Sequence, residues 1–244
     1  MRGRYLGAMC LVLGVFVSLS INTACTPSEE PVTTSVALTD GWSLRAAADV
    51  AEDGATVSSI GFDTAGWFAT SVPSTPMAAL VANGLHPDLY LGDNLEKVDT
   101  GQFDDPWWYR VEFAGPDAKL AQFARLVFNG INYSAEIWLN GELLAPRQEI
   151  VGAFRVHELD VSGRLLPGQN VLAVAVHPPQ PGDFTIGFVD WNPRPPDNNM
   201  GIWRPVELRS TGVVSIDDLY VQTDVDIETL ETAEIRVSAR FTNH

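Results

Sequence analysis

The sequence is cut into short runs in which apolar and polar residues alternate, and this period of two restricts the fold to one built from strands. In Trp107-Trp108-Tyr109-Arg110-Val111-Glu112-Phe113 the odd positions are apolar, and the even ones include Arg110 and Glu112. Successive side chains of a strand point to opposite faces, so such a run predicts one face on a core and one toward water. Ala124-Arg125-Leu126-Val127-Phe128 and Val171-Leu172-Ala173-Val174-Ala175-Val176 are nearly continuous apolar runs. That is the pattern of strands covered on both sides. Ala135-Glu136-Ile137-Trp138-Leu139 leads into Asn140-Gly141 and then Glu142-Leu143-Leu144. Asn and Gly both tolerate positive φ, so this segment predicts a tight hairpin. Pro167-Gly168-Gln169-Asn170 is the turn ahead of Val171, and Pro205-Val206-Glu207-Leu208-Arg209 closes the series.

One short helix interrupts the strands. Thr75 can cap it, Pro76 suits its first position, Met77 to Asn83 form its body and Gly84 ends it. The remaining sequence shows no helical period of useful length. Many short strands with one small helix predict an all-β chain, an antiparallel sandwich or jelly roll over residues 38–212. A new start follows Thr211-Gly212. Ile216-Asp217-Asp218-Leu219-Tyr220-Val221 reads as a strand, and Ile235, Val237, Ala239 and Phe241 alternate with Arg236, Ser238 and Arg240 in another. Two strands cannot bury a core, and a sandwich of this kind takes about 100 residues. Residues 213–244 are therefore read as the start of a second, incomplete sandwich.

The front of the chain reads as a targeting signal. Arg2 and Arg4 precede an apolar stretch from Tyr5 to Leu19, which ends at Ser20-Ile21-Asn22-Thr23-Ala24-Cys25. This is the layout of a secretory signal peptide over residues 1–24. The stretch is short for a membrane span, which takes ~20 apolar residues. Of the two cysteines, Cys10 lies inside the signal, so Cys25 alone would remain and no intrachain disulfide could form. Cys25 follows small Ala24 and precedes a polar linker rich in Pro, Ser, Thr and Glu, assigned to residues 25–37. That arrangement resembles the acylated first cysteine of a bacterial lipoprotein, although Asn22 stands where Leu, Val or Ile is usual. The protein is expected to be exported, either anchored through lipidated Cys25 or secreted.

The net charge is −16, and residues 1–24 contribute two arginines and no acid, so the remainder is more acidic still. Such a surface repels phosphate backbones and anionic lipid heads. No nucleic-acid partner is expected, and membrane contact only through a lipid anchor. His86, His157, His177 and His244 are scattered, with no pair at metal-ligand spacing on a helix. No Gly-x-Ser-x-Gly turn supports a Ser-His-Asp set. No metal and no cofactor are expected.

The run Tyr133-Ser134-Ala135-Glu136-Ile137-Trp138-Leu139-Asn140-Gly141-Glu142-Leu143-Leu144 resembles the sugar-binding domain of family 2 glycoside hydrolases. So do Gly152-Ala153-Phe154-Arg155, Leu159-Asp160-Val161 and Leu166-Pro167-Gly168-Gln169-Asn170-Val171-Leu172-Ala173-Val174. The segment from Phe188-Val189-Asp190-Trp191-Asn192-Pro193 through Asp197-Asn198-Asn199-Met200-Gly201-Ile202-Trp203-Arg204 looks like the exo-β-glucosaminidase and β-mannosidase branch. The resemblance implies a galactose-binding-like jelly roll over 38–212, followed by the start of an immunoglobulin-like domain. It implies a β-linked sugar or amino-sugar glycoside as substrate. It also implies, beyond this chain, a (β/α)₈ barrel of about 250 residues bearing two glutamates. No carboxylate here matches those glutamates, so no catalytic residue is assigned and the barrel is expected to be missing from this chain.

The chemistry left to the jelly roll is binding. In the family a loop of this domain completes the substrate pocket, and Asp190 and Trp191 match its Asp-Trp pair. A carboxylate accepts hydrogen bonds from sugar hydroxyls, and an indole offers an apolar face and one N–H donor. The alternative is a turn-capping Asp190 with Trp191 packed on the core. Asn94, with Asp93 as its neighbouring alternative, lies where the family often has a second pocket-lining loop. Trp107 and Trp108 are expected to divide between core and surface, Trp203 to pack, and Arg204 to pair with an acid. Asp197 and Asn198 could hold a cation together with backbone carbonyls. Two other functions fit the same residues: a free-standing carbohydrate-binding surface lipoprotein without catalytic activity, and an adhesion scaffold that has lost its sugar site.

Lipidation at Cys25 carries a direct consequence, because acyl chains hold a protein at the membrane. In a bacterial host that processes lipoproteins, Cys25→Ser is expected to move the protein from the membrane fraction to the soluble one. Mass spectrometry finding an unmodified N-terminus at Thr26 or later would exclude the anchor.

Overall fold

The computed structural model describes residues 33–116, 123–187 and 189–244. Cys25, the predicted signal 1–24, most of the predicted linker and Phe188 lie outside the described residues. The chain opens with strands β1 (Thr34–Ala37) and β2 (Trp42–Ala46), a single helical turn α1 (Gly54–Val57), β3 (Phe68–Thr70) and helix α2 (Pro76–Ala82). Then follow β4 (Trp107–Ala114), β5 (Phe123–Phe128), β6 (Ile131–Asn132), β7 (Ser134–Leu139), β8 (Glu142–Ala145), β9 (His157–Asp160) and β10 (Gln169–His177). Short β11 (Gly201–Ile202), β12 (Val206–Thr211) and the long strands β13 (Val214–Val225) and β14 (Ala233–Asn243) complete the described chain. The last four residues of the predicted linker are thus a strand. Its register along β12 pairs Ser35 with Arg209 and Ala37 with Glu207, and the Ser35 hydroxyl donates diagonally to the Glu207 carboxylate at 2.8 Å.

A six-stranded sheet in the order β3-β2-β4-β10-β7-β8 packs on a four-stranded sheet in the order β1-β12-β5-β9. Their pairs are antiparallel throughout, which makes the jelly-roll sandwich expected from the strand pattern. Asn140 and Gly141 carry φ of 52° and 88° between β7 and β8, the conformation that the hairpin signal requires. The main core lies between the sheets. Trp42, Tyr109, Val111, Leu172, Val174 and Val176 from the larger sheet meet Leu126, Phe128, Val206 and Leu208 from the smaller one. Fully burying a side chain of this kind contributes ~1.5–3 kcal/mol.

The other face of the larger sheet is also covered. Trp108, Ala173 and Ala175 pack against Val57 of α1, with Val50, Phe62, Trp67 and Trp138 around them. Arg110, expected to face water, is only 4% exposed beneath this cover. Its Nε donates to the Val57 carbonyl at 2.9 Å and its Nη2 to Ser59 O at 3.1 Å and to the Glu112 carboxylate at 2.6 Å. The guanidinium is satisfied by the cover itself, as a buried charge must be. Trp107 and Trp108 are both buried, one in each core, so neither is the surface residue expected of the pair.

Helix α2 follows its sequence signals. Thr75 Oγ1 accepts from Ala78 N at 3.3 Å, Pro76 opens the helix, and Gly84 takes φ of 80° after it. Strands β13 and β14 form a separate two-stranded ribbon. Its register shifts between Asp217 and Tyr220, where Asp218 takes φ of 51°. The shift puts Ile216 opposite Phe241 and Val221 opposite Val237, so residues an odd number apart share one apolar face. The ribbon root touches the jelly roll where Arg125 pairs with Asp217 at 3.2 Å and the Phe123 and His244 rings stack at 4.5 Å.

The outer cover rests on a close approach. A Cβ on buried Gly54 would overlap the Cε2 and Nε1 atoms of the Trp138 indole. A rigid ring cannot yield like a flexible chain end, and overpacking typically costs ~1–3 kcal/mol. Gly54→Ala is therefore expected to lower the unfolding free energy by that amount, read as a lower urea midpoint with an unchanged m-value. A midpoint equal to the parent's would show that Trp138 is not held where the packing puts it.

Candidate functional site

The chain leaves β10 at His177 and returns in β11 at Gly201, and the predicted site residues Asp190 and Trp191 sit on this long connection. Its base is stitched to the sandwich. Asn132, fully buried on β6, donates from Nδ2 to Asn199 O at 2.8 Å and to Asn198 O at 3.3 Å, and its Oδ1 accepts from the Thr185 hydroxyl. Arg194 Nε donates to Asn198 Oδ1 at 2.8 Å. Asn198 and Asn199 take φ of 50° and 56°, a left-handed pair that asparagine tolerates better than most residues. Gly201, at φ 140°, passes against Ser74 O and the Tyr109 hydroxyl, where a Cβ has no room.

Asp197 is the deepest polar group of this base, at 2% exposure. Its Oδ2 accepts from Met77 N at 2.9 Å, in the first turn of α2, and its Oδ1 accepts from Asn199 N at 3.0 Å. Burial pushes its carboxyl above the ordinary range, against the pull of bonds from Thr75, Met77 and Asn199. The carboxylate is committed to backbone donors, which is not the role of a cation ligand. Among the described residues no group of three or more His, Cys, Asp or Glu side chains is placed to hold a metal.

The tip behaves differently. Asn192 N donates to Val189 O at 2.9 Å, so Val189–Asn192 is a turn with Asp190 and Trp191 at its corner. Trp191 is 80% exposed, and neither its indole N–H nor the Asp190 carboxylate bonds another described residue. Asp190 is not a turn cap here and Trp191 is not a core group. Pro193, Pro195 and Pro196 separate tip from base and restrict the backbone between them.

Asn94 lies apart from this tip. Its Nδ2 donates to Asp88 O at 3.0 Å, holding its own loop, and Asp93 pairs with Lys97 at 2.6 Å. Asn94 lines a shallow concavity with Leu85, His86, Asp88 and Lys97, on whose wall neither Asp190 nor Trp191 stands. The two loops do adjoin further along. A groove of about 580 Å³ runs between Leu95–Asp104 and Pro193–Asn198, with Glu96, Asp104 and Arg194 on its walls.

Sequence reasoning missed an aromatic patch beside the loop. Phe184 stands 5.5 Å from Phe154, which meets Trp203 edge-on at 5.7 Å. Trp203 Nε1 donates to Ala153 O at 2.9 Å, and Arg204 lies over its ring at 4.4 Å instead of pairing with an acid. Phe154 and Phe184 are 53% and 80% exposed. The rings are mutually tilted and make no flat platform for a sugar. At the start of the connection, burial and the nearby Arg147 charge lower His177 to about 4, so it is neutral at physiological pH.

The described residues thus form an antiparallel jelly-roll sandwich whose long rim connection is held at its base and exposed at its tip. Residues 42–183 match the family described as glycosyl hydrolase 2 galactose-binding domain-like, and the chain belongs to that family. Over 224 residues it is 36% identical to an exo-beta-D-glucosaminidase of Streptomyces avermitilis, an alignment covering 89% of this chain and 24% of the relative. A mannosylglycoprotein endo-beta-mannosidase of Lilium longiflorum is 36% identical over 186 residues, covering 65% of this chain and 19% of that one. Among solved structures, the exo-chitosanase of Amycolatopsis orientalis superposes with a TM-score of 0.79 at 33% identity, over 87% of this chain and 24% of that one. That enzyme has also been solved in complex with PNP-beta-D-glucosamine. The chain thus spans about a quarter of the length of these glucosaminidase relatives.

Proposed function

We propose that the chain is the N-terminal sugar-binding part of an exported exo-acting β-D-glucosaminidase, and that Asp190 and Trp191 form one wall of its substrate pocket. The observation that carries this reading is the tip turn. It presents a carboxylate and an indole with no partner among the described residues, on a loop whose base is fixed by buried hydrogen bonds. Side chains that hold no other described residue are available to meet a ligand. An ionised Asp190 can accept from two sugar hydroxyls or pair with the ammonium of glucosamine, and the Trp191 face suits the C–H side of a pyranose. A net charge of −16 favours the approach of a cationic amino sugar.

Bond cleavage is assigned to the part of the relatives that this chain does not span. A retaining glycosidase needs two carboxyls roughly 5–5.5 Å apart across the scissile bond. One wall of a pocket binds weakly, so these residues alone are expected to hold glucosamine with a Kd in the millimolar range, about −4 kcal/mol. Export with a lipid anchor at Cys25 would place the activity at the cell surface, where polymeric amino sugars are met.

The test is kinetic. In the full-length protein acting on p-nitrophenyl β-D-glucosaminide, Asp190→Ala removes a charged acceptor contributing ~1.5–3 kcal/mol. The expected result is a fall in kcat/KM of about ten- to a hundredfold at an unchanged melting temperature. An unchanged kcat/KM with a lowered melting temperature would make Asp190 a structural residue.

A further inference from the structure

Asp197 is seven positions from Asp190 along the same loop, yet its environment is the opposite of the tip's. One carboxylate oxygen is fixed to Met77 N of α2, whose residues Met77, Ala79 and Leu80 belong to the main core. The other is fixed to Asn199 N, inside the left-handed turn that ends the loop. A single side chain therefore ties the base of the loop to the core. Between this anchor and the tip run Pro193, Pro195 and Pro196, whose fixed φ makes the segment stiff, and the Arg194 to Asn198 bond braces it. A stiff arm transmits the orientation of its anchor. Burying a carboxylate is a costly way to fill a core, and such groups are best explained where they specify one geometry.

We propose that Asp197 is a positioning residue that sets the orientation in which the Asp190–Trp191 tip meets the sugar. The inference rests on the reading of that tip as a sugar contact. Asp197 itself touches no ligand. It acts through Asp190 and Trp191, so its contribution to turnover should vanish when they are gone, whereas a merely structural contribution would not.

Two measurements test this. By hydrogen exchange on this chain, Asp197→Asn is expected to speed exchange of the bonded loop amides of Asn192, Asn198 and Met200 about tenfold or more and to leave Val171–Val176 unchanged. By kinetics on the full-length protein with p-nitrophenyl β-D-glucosaminide, Asp197→Asn is expected to lower kcat/KM about tenfold, the scale of a small misplacement of a binding group. In a tip variant carrying Asp190→Ala and Trp191→Ala, adding Asp197→Asn is expected to change kcat/KM no further. If the losses multiply, or if Asp197→Asn loosens the loop at full activity, the positioning role is overturned while the tip reading stands. If the tip variant itself keeps full activity, the sugar-contact reading falls first. Should Asp197→Asn not fold, Asp197→Glu, which keeps the charge but displaces the carboxylate from Met77 N and Asn199 N, carries the same expectation. Additive losses from that variant would count equally against the proposal.

Discussion

Everything in this domain depends on burying both faces of the larger sheet. Strand β10 runs through its middle, paired with β4 on one side and β7 on the other, and Val171 to Val176 are all buried. Leu172, Val174 and Val176 face the smaller sheet, while Ala173 and Ala175 face the cover formed around α1. The small alanines leave room for Trp108 and for the cover residues packed against that face. Because the cover is itself a loop-rich segment, its free carbonyls need donors, and Arg110 supplies them from below. Both faces are thereby spent on stability. Outward-facing side chains then lie on the outer face of the smaller sheet, with Arg125, Glu158, Glu207 and Arg209, and on the rim loops, where binding groups sit on such scaffolds.

The rim divides its labour between an anchored base and an unpartnered tip. Asn132, Asp197 and the left-handed pair Asn198–Asn199 spend their polar groups inside the domain. Asp190 and Trp191 spend none among the described residues. In the proposed reading, this separation lets an exposed loop hold a binding geometry, with precision from the buried end and chemistry from the exposed one. The charged concavity between the smaller sheet and the ribbon root shows the contrast. There Arg125 bonds Glu158 and Asp217, and Arg209 bonds Glu207, so its side chains are occupied with one another.

What could be read from the sequence was local. The Asn140–Gly141 hairpin and the caps of α2 depend on residues adjacent in the chain, and the double burial of β10 on an unbroken apolar run. The alternation in β4 marked its core face, but the face read as meeting water is covered as well. That depended on Gly54 to Phe62 folding back over Arg110, a contact between distant segments. Thr34–Ala37 carry too few apolar residues to signal a strand, and their pairing is supplied by β12. Asn94 was read as a sugar contact from its place in the family, and a sequence could not show that its amide donates to Asp88 O. Phe154, Phe184 and Trp203 converge from three separate segments, and no local pattern announces them. Asp190 and Trp191 were singled out through a family motif and stand as a proposal, while the buried bonds of Asp197 join segments far apart in the sequence and left no local signal.

In the proposed reading, this jelly roll contributes one wall of an amino-sugar pocket through a single turn. A crystal structure of the full-length protein with glucosamine bound tests it most directly. The account predicts an Asp190 carboxylate oxygen within hydrogen-bond distance of the sugar, about 2.5–3.2 Å, and the Trp191 ring against its C–H face. A sugar bound with no atom of Asp190 or Trp191 in contact would contradict it.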